Sequence, residues 1–377
     1  MVISCRKPAE IEILDAKVAQ KNVVPSSSKE LTFLFFGDIM KHELQIKSTF
    51  CKEKLVYDFS SQFEKMKPVF DTFDIVIGNL EVTFSGEPYS GYPDFSSPVE
   101  LAVAIKESGN DYLCFANNHS FDFGYYGMYR TLRVLDSLNF VPTGVYFDAE
   151  DKAKNHPMVI NKNELRVAVF NYTYGINEEH GRIENVEFSN RIDKGLILND
   201  LINSKSVSCD AIIVYMHWGE EYERYQSEEQ TDIANFCIEK RADIVIGSHP
   251  HVIQPMFFYN YKMKSGDSKE VLVAYLLGNF VSNYGNWQYF DGGAMLSFKL
   301  SKKDSETLKI IAPEYHLVWV YRPVVVDGLR RYSVLPVKDF EDDNTIAGEH
   351  RWLLNCFIND SREHLKSNNV NVFEAKK

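Results

Sequence analysis

The sequence lacks several features that define common protein classes. Its 377 residues include six cysteines but no CxxC pair, which argues against a disulfide framework or a cysteine zinc finger. The net charge is −12, without a basic stripe or a Lys/Arg cluster, which argues against a general nucleic-acid or anionic-membrane binder. No window approaches the ~20 apolar residues that a membrane helix needs. We therefore expect reduced thiols, no nucleic-acid partner and no membrane span.

The N-terminus also lacks an apolar stretch of signal-peptide length, because charges interrupt it at Arg6, Lys7 and Glu10. We expect a cytoplasmic protein on this basis. The polar clusters described below span positions 38 to 251 as one functional set, which favours a single large core domain. We predict an N-terminal extension over residues 1–29, a core over residues 30–338 and a C-terminal helical segment over residues 339–377.

Five short polar clusters, each at the end of an apolar run, are the main positive signal. They read FFGDIM, IGNLE, CFANNHSFD, VYMHWGEE and IGSHPH. Their polar side chains are Asp38, Asn79, Glu81, Asn117, Asn118, His119, Asp122, His217, Glu220, His249 and His251. Strands of an α/β sheet direct their last residues into the crevice where ligands bind, so clusters that are distant in sequence can converge there.

The apolar runs before the clusters have the composition of short buried strands. We predict strands over 31–36, 74–77, 112–116, 211–216 and 243–246. Helical spacing of apolar residues predicts helices over 98–108, 125–138 and 228–240, and a terminal helix near 350–366. Strands, polar turns and helices alternate along the chain, which indicates a layered α/β fold.

The GSHPH cluster carries two imidazoles, His249 and His251, on a turn that Pro250 restricts. Both imidazoles can approach one metal ion, or two neighbouring ions, from this turn. Two histidines in this spacing are also common on solvated loops. The metal interpretation depends on their combination with the other clusters.

The ANNHSFD cluster places a candidate amide ligand, Asn118, before an imidazole, His119. We predict that His119 acts on a metal-bound substrate as an acid, base or anion stabiliser, and that Asp122 orients it. In the alternative interpretation, Asn117 and Asn118 make turn hydrogen bonds and His119 caps the next helix.

In HWGEE, His217 is the candidate ligand, while Glu220 or Glu221 can hold an imidazole tautomer. Packing is the ordinary role of the neighbouring Trp218. The predicted ligands of all clusters together are Asp38, Glu81, Asn118, His217, His249 and His251. This set of oxygen and nitrogen donors without a thiolate suits Mn²⁺, Zn²⁺ or Fe, and it can hold one ion or a pair about 3.5 to 4 Å apart.

The order of motifs GD, GNLE, ANNHxxDxG, HWGxEY, GSHPHxxQP and LLGNFVSN, over residues 31 to about 300, resembles the CapA family of bacterial poly-γ-glutamate capsule biosynthesis proteins. That family is similar to the calcineurin-like metallophosphoesterases. The resemblance implies a four-layer α/β/β/α sandwich of the metallo-dependent phosphatase type with a dinuclear site. It also implies that the six candidate ligands hold metal and that His119 is the catalytic histidine. From the clusters themselves, Asp122 and Glu220 are further candidate catalytic residues.

Two positions depart from the metallophosphoesterase pattern. Met40 stands where a histidine is expected two residues after the first aspartate, and Asn79 replaces the usual bridging aspartate. We therefore expect the side of the site that contains Asp38 to bind metal more weakly.

Three functions follow from the resemblance. The first is a metal-dependent enzyme acting at a carbonyl of a γ-glutamyl polymer or related peptide. The second is a metal-dependent epimerase of a ribosomal peptide. The third is a non-catalytic assembly subunit of a polymer-synthesis complex. A simple phosphoesterase is a weaker fourth interpretation, because the phosphatase histidine is absent.

Overall fold

The computed structural model describes residues 28–177, 186–203, 208–284, 289–303, 307–325 and 328–376. The predicted N-terminal extension, except for its last two residues, lies outside these ranges. The described strands are β1 Ser28–Ile39, β2 Phe50–Cys51, β3 Val56–Tyr57, β4 Ile75–Leu80, β5 Tyr112–Cys114, β6 Val141–Thr143, β7 Met158–Lys162, β8 Leu165–Thr173, β9 Ala211–His217, β10 Ile244–Ser248, β11 Met256–Lys262, β12 Ser268–Ala274, β13 Asn279–Val281, β14 Gly292–Lys303, β15 Lys309–Tyr321, β16 Ser333–Pro336 and β17 Phe373–Glu374.

The described α-helices include one long C-terminal helix and several shorter ones. They are α1 Glu43–Thr49, α2 Ser60–Phe63, α3 Lys67–Phe70, α4 Glu100–Glu107, α5 Gly124–Ser137, α6 Ala149–Asn155, α7 Lys194–Ile202, α8 Glu228–Glu239, α9 Val337–Phe340 and α10 Gly348–Asn368. A 3₁₀-helix covers Val186–Phe188. The five predicted strands are observed as β1, β4, β5, β9 and β10, and the predicted helices as α4, α5, α8 and α10.

Two mixed sheets form the centre of the fold. The first has the order β16-β15-β14-β1-β4-β5-β6, with β13 also paired to β1 and β17 to β15. The second has the order β11-β12-β10-β9-β8-β7. Strands β1, β4, β5 and β6 run parallel, as do β8, β9, β10 and β12. The parallel strands that end in polar clusters therefore present their carboxyl ends together.

The alternation of side chains along β1 explains how the layers stack. Leu31, Phe33 and Phe35 point into a buried cluster that also contains residues of the second sheet. Leu34 and Phe36 point to the opposite face and pack in a cluster with residues of α2 to α5. Successive strand residues face opposite sides of a sheet, so each apolar face of the first sheet has its own partner layer.

The second sheet is covered in the same way on its outer face. Residues of α7 and α8, including Ile197 and Ile233, pack there against Val214 and Val245. The layer order is therefore helices, sheet, sheet, helices. This architecture confirms the predicted four-layer α/β/β/α sandwich.

The C-terminal helix α10 contributes Leu354, Phe357, Ile358 and Leu365 to the buried cluster that contains the facing sides of both sheets. The cysteines within the described residues are free thiols, as predicted, whereas Cys5 lies outside those residues. In the part of the chain that the structure describes, helices that are both long and apolar enough to cross a bilayer are absent.

Candidate metal centre

The predicted ligand residues converge at the carboxyl ends of the parallel strands. Asp38 lies near the end of β1 and Glu81 directly follows β4. Asn118 follows β5, His217 ends β9, and His249 and His251 follow β10. All six side chains are buried. Parallel strands that end at one edge bring these residues together although up to 213 positions separate them, counting from 38 to 251.

Close backbone crossings at this edge require glycine before two of the clusters. A Cβ atom on Gly37 would lie 1.9 Å from the carbonyl oxygen of Gly278. A Cβ atom on Gly247 would lie 1.9 Å from the carbonyl oxygen of Tyr275. Such distances are far inside van der Waals contact, so only glycine allows the strands to place Asp38 and His249 this close to their neighbours.

We name the first set of ligand atoms the histidine-rich group; it consists of Glu81, His217 and His249. One ligand atom of each lies within 4.8 Å of the others. His217 Nε2 is 3.5 Å from Glu81 Oε1 and 2.7 Å from Asn118 Oδ1. His217 Nδ1 lies 2.9 Å from Ser248 Oγ. A hydrogen bond from Nδ1–H to this hydroxyl leaves the Nε2 lone pair available for a metal ion.

We name the second set the aspartate group; it consists of Asp38, Glu81 and His251. Its ligand atoms also lie within 4.8 Å of one another, and His251 Nδ1 is 3.2 Å from Asp38 Oδ2. The side-chain oxygen Oδ1 of Asn279 lies 3.1 Å from the same His251 nitrogen and can accept a hydrogen bond from it. Glu81 belongs to both groups and is therefore placed to bridge two ions.

A chain of amides fixes the two carboxylates. Asn79 Nδ2 donates to Asp38 Oδ1 at 2.8 Å and to Glu81 Oε2 at 3.4 Å. Asn117 Nδ2 in turn donates to Asn79 Oδ1 at 3.2 Å and to the carbonyl oxygen of Leu80 at 2.7 Å. At the position where the resemblance implies a bridging aspartate, this chain thus has a hydrogen-bond donor that orients Asp38 and Glu81.

The free atoms of the ligand set indicate that the site fits a divalent cation. Asp38 Oδ2, Glu81 Oε1 and His249 Nδ1 are buried and make no hydrogen bond to the described residues. The imidazole nitrogens 3.2 Å from Asp38 Oδ2 and 3.5 Å from Glu81 Oε1 are contacts without hydrogen-bond geometry. Leaving a buried polar atom without a partner costs ~1–3 kcal/mol, and more when it is charged. A cation bound between these atoms would remove that cost, so the donor set fits the predicted metal.

The electrostatics of the buried groups agree with this interpretation. Burial, reinforced by the charge of Asp38, raises the pKa of Glu81 well above its ordinary value. Burial lowers the pKa of His217 and of His249 well below the usual range, and the neighbouring imidazoles add to the effect. Both imidazoles are therefore neutral at neutral pH, the state in which they bind metal. A nearby cation would reverse the shift at Glu81.

The backbone of the GSHPH turn is strained at both histidines. His249 has φ 111° and His251 has φ 60°, conformations that cost ~1–3 kcal/mol each for residues with a side chain. The loop after β9 supports the turn, because Trp218 N donates to the Ser248 carbonyl at 3.1 Å and Tyr222 N donates to the Pro250 carbonyl at 3.0 Å. These contacts hold both imidazoles toward the site.

His119 and Asp122 form a buried pair beside the ligands. His119 Nδ1 lies 2.8 Å from Asp122 Oδ2, which also accepts a hydrogen bond from the Phe95 backbone N–H at 2.7 Å. Burial raises the pKa of Asp122, opposed by His119. The N-cap of α5 is Phe123, so His119 does not have the capping role of the alternative interpretation. The turn hydrogen bond of that interpretation is present, because the His119 backbone N–H donates to Asn117 Oδ1 at 3.1 Å.

The two glutamates after Gly219 differ in position. Glu221 has a carboxylate oxygen within 4.8 Å of ligand atoms of both His249 and His251. Glu220, the predicted catalytic residue, is exposed and lines a cleft of about 610 Å³ that also contains Tyr174, Glu221 and His249. Trp218 is buried and packs near Tyr275, consistent with its structural interpretation.

Several site residues were not predicted from the sequence. Ser248 and Asn279 contact the ligand imidazoles through hydrogen bonds. Tyr174 packs its ring 4.6 Å from that of His249, and Tyr284 packs 5.0 Å from His251. Ser248 and Asn279 lie inside the GSHPH and LLGNFVSN motifs, so their motif membership was an available signal. Tyr174 lies outside the motifs, and Tyr284 directly follows LLGNFVSN.

Comparison with known proteins gives the family. The model of the family described as bacterial capsule synthesis protein PGA_cap matches residues 32–284. This chain belongs to the PGA_cap family. The match confirms the predicted resemblance and covers every polar cluster of the candidate metal centre.

Relatives of this chain include capsule-related proteins of two Bacillus species. The PGA biosynthesis protein CapA of Bacillus subtilis (strain 168) is 25% identical over 339 residues, which cover 88% of this chain and 83% of the relative. The capsule biosynthesis protein CapA of Bacillus anthracis is 27% identical over 297 residues, covering 75% of this chain and 67% of the relative. This PGA_cap chain is thus related to capsule biosynthesis proteins over most of its length.

Solved structures whose chains follow a similar course include a nucleotidase and a phosphoesterase. The NAD nucleotidase NadN of Haemophilus influenzae has a TM-score of 0.45 at 13% identity, covering 93% of this chain and 58% of that one. The calcineurin-like phosphoesterase YfkN of Bacillus subtilis has a TM-score of 0.43 at 13% identity, covering 90% and 99%.

Proposed function

We propose that this PGA_cap protein is a metal-dependent enzyme that acts at a carbonyl centre of a γ-glutamyl polymer or a related peptide. One observation carries the proposal. Glu81 lies with His249 in one buried ligand group and with Asp38 in the other, and each of these three residues has a buried atom that makes no hydrogen bond to the described residues. His119 directly follows the candidate ligand Asn118 and forms a buried pair with Asp122. Ligands and an acid/base pair at one strand edge are the components of metal-assisted catalysis.

The proposed ligands are Asp38, Glu81, Asn118, His217, His249 and His251. The bound Mn²⁺, Zn²⁺ or Fe would polarise the substrate carbonyl and lower the pKa of a bound water. Glu81, which belongs to both groups, would be a ligand common to both.

His119 would move the proton. Its Nδ1 is occupied by Asp122 at 2.8 Å, so the neutral ring carries its lone pair on Nε2. In hydrolysis that nitrogen can accept a proton from the attacking water and return it to the leaving amine. In the epimerase alternative it would accept the proton of a Cα–H bond, and a proton would then return to that carbon from the opposite face. Asp122 stabilises the imidazolium that forms. Glu220, exposed at the cleft, is a further candidate for acid/base chemistry.

The substrate class is supported by the names of the relatives, PGA biosynthesis protein and capsule biosynthesis protein. The residues that line the cleft beside His249 include Glu220, Glu221 and Glu229 but no lysine or arginine within the described chain. An anionic polymer would therefore be attracted by the bound cations rather than by side chains. This makes substrate binding as well as chemistry dependent on metal.

The experiment is metal analysis of the purified protein followed by incubation with γ-glutamyl polymers and peptides in deuterated water. Shortened products without deuterium at Cα indicate hydrolysis. Deuterium uptake at Cα with unchanged chain length indicates the epimerase alternative. Bound metal with neither change, or absence of metal, would refute the enzyme and leave the assembly-subunit alternative. The His119→Asn variant is the control, because it should retain metal and lose the chemical change.

A further inference from the structure

The aspartate group is poorer in donors than the histidine-rich group. The histidine-rich group has Glu81, His217 and His249, and the Asn118 amide oxygen lies 2.7 Å from His217 Nε2 as a fourth donor. The aspartate group has Asp38 and His251, and it shares Glu81. The nearby Met40 is buried, with its sulfur 3.9 Å from the Tyr284 hydroxyl. A thioether is a poor ligand for the hard and borderline cations that this donor set suits.

Glu221 lies where a further donor would be needed. Its carboxylate, a ring nitrogen of His249 and a ring nitrogen of His251 lie within 4.8 Å of one another. His249 is only 4% exposed, and its Nδ1 has no hydrogen-bond partner among the described residues. The negative charge of Glu221 also contributes to the raised pKa of Glu81. This carboxylate is therefore close to the ligand set on its solvent side.

The backbone holds Glu221 in this position. The residues on either side of Glu220 and Glu221 have left-handed conformations, with φ 94° at Gly219 and φ 71° at Tyr222. Tyr222 is fixed by its N–H to the Pro250 carbonyl at 3.0 Å and by its ring, 5.1 Å from that of Phe290. A strained tyrosine anchored to the histidine turn is a feature that positions its neighbour, since strain of this kind concentrates at functional sites.

We propose that Glu221 is a metal ligand that completes the aspartate-group position through the shared His251. The inference rests on the metal-binding part of the proposed function and adds a residue to it. In this arrangement an ion bound at the aspartate group has donors from Asp38, Glu81, His251 and Glu221. Glu221 comes from the exposed side, so this ion would be the one that exchanges more readily with solvent.

The test is Mn²⁺ titration of metal-stripped protein by calorimetry, with electron paramagnetic resonance to detect coupled ions. The variants are Glu221→Gln and, as matched control, Glu223→Gln, which removes an exposed carboxylate two positions away on the same loop. Outer-shell partners of a metal typically change affinity 10–100-fold, and removal of a direct ligand should cost at least as much. We therefore expect Glu221→Gln to weaken the weaker binding event by about 10-fold or more and to change the tighter event by less than about 2-fold.

The outcomes separate this inference from the proposed function. Wild-type protein that takes up no Mn²⁺, Zn²⁺ or Fe would refute the metal premise itself. Wild-type protein with normal uptake but equal affinities in Glu221→Gln and Glu223→Gln would refute only the role of Glu221. A single binding event in wild type, or equal weakening of both events in Glu221→Gln, would also overturn the assignment to the aspartate group.

Discussion

The replacement Glu81→Gln should stabilise the metal-free protein and destabilise the metal-loaded protein. Glu81 is fully buried, and its Oε1 has no hydrogen-bond partner among the described residues. Its pKa in the folded protein is raised well above the ordinary 4.5. Between these two pKa values the folded state holds more protons than the unfolded state, so the free energy of unfolding falls as pH rises. Glutamine has no charge to desolvate and removes this dependence.

The magnitude follows from the cost of a buried polar atom without a partner, ~1–3 kcal/mol or more when charged. Unfolding entropy of roughly 2.1 cal/mol/K per residue gives about 0.8 kcal/mol/K for 377 residues. In a chelator at pH 8, Glu81→Gln should therefore raise Tm by about 1–4 °C. The difference should vanish near pH 4, where the carboxyl is protonated in both states.

Excess metal should reverse the order of stability. Metal at 100 times its Kd stabilises a protein by about 2.7 kcal/mol, which raises Tm by about 3 °C for this chain. The variant should gain less, because it has lost the ligand that both groups share. Differential scanning calorimetry with chelator and with Mn²⁺, at pH 4 and pH 8, measures all four conditions. Glu223→Gln serves as the control for loss of an exposed charge. A lower Tm for Glu81→Gln in chelator at pH 8 would refute the reasoning, because it would mean that the carboxylate is well paired without metal.

Three further predictions concern metal content and turnover. His249→Ala should lose most bound metal by elemental analysis, because His249 belongs to the histidine-rich group; undiminished metal would contradict the central claim. His119→Asn should keep metal and fold but lower turnover by ~10² or more, whereas loss of metal would make His119 a ligand and full activity would make it a packing residue. Calorimetric titration of the wild type should resolve one tight and one weaker event, since the aspartate group has the poorer donor set, and two equally tight events would argue against that difference.

The strands that carry the site could be predicted from the sequence because they are buried on both faces. Such strands form continuous apolar runs, and their polar ends mark the sheet edge. The predicted starts and ends differ from β1, β4, β5, β9 and β10 by only a few residues, as expected from assignment at strand ends. The four-layer order required the family resemblance, because alternation of elements indicates layers but not which sheet each strand joins.

The antiparallel half of the first sheet was not predicted. Strand β15, Lys309–Tyr321, is rich in apolar and aromatic residues but contains Pro313, and a proline within such a run argues against a central strand. Strand β15 pairs with β14. Strand β14 pairs in turn with β1, where Ser28 lies opposite Lys303. Pairing between segments this distant leaves no local pattern in the sequence.

The spacing of residues in the sequence also does not indicate which of Glu220 and Glu221 lies near the metal centre. The two residues are adjacent, and both follow His217 closely. Which carboxylate faces His249 and His251 depends on the left-handed backbone at Gly219 and Tyr222. A non-glycine residue in that conformation cannot be recognised from composition, because it is held there by tertiary contacts.

The pairing of β1 with late segments of the chain has a consequence for biosynthesis. Asp38 N donates to the Gly278 carbonyl, and Asp38 pairs in register with Asn279, so 241 residues separate the two positions, counting from 38 to 279. At roughly 5–20 residues per second, a ribosome needs about 12–48 s to span that distance. During this interval β1 and β4 can pair with each other, but the other edge of β1 remains open to foreign strands. We expect nascent chains halted between residues 100 and 270 to aggregate or bind chaperones, and to bind metal only after Asn279 has left the exit tunnel.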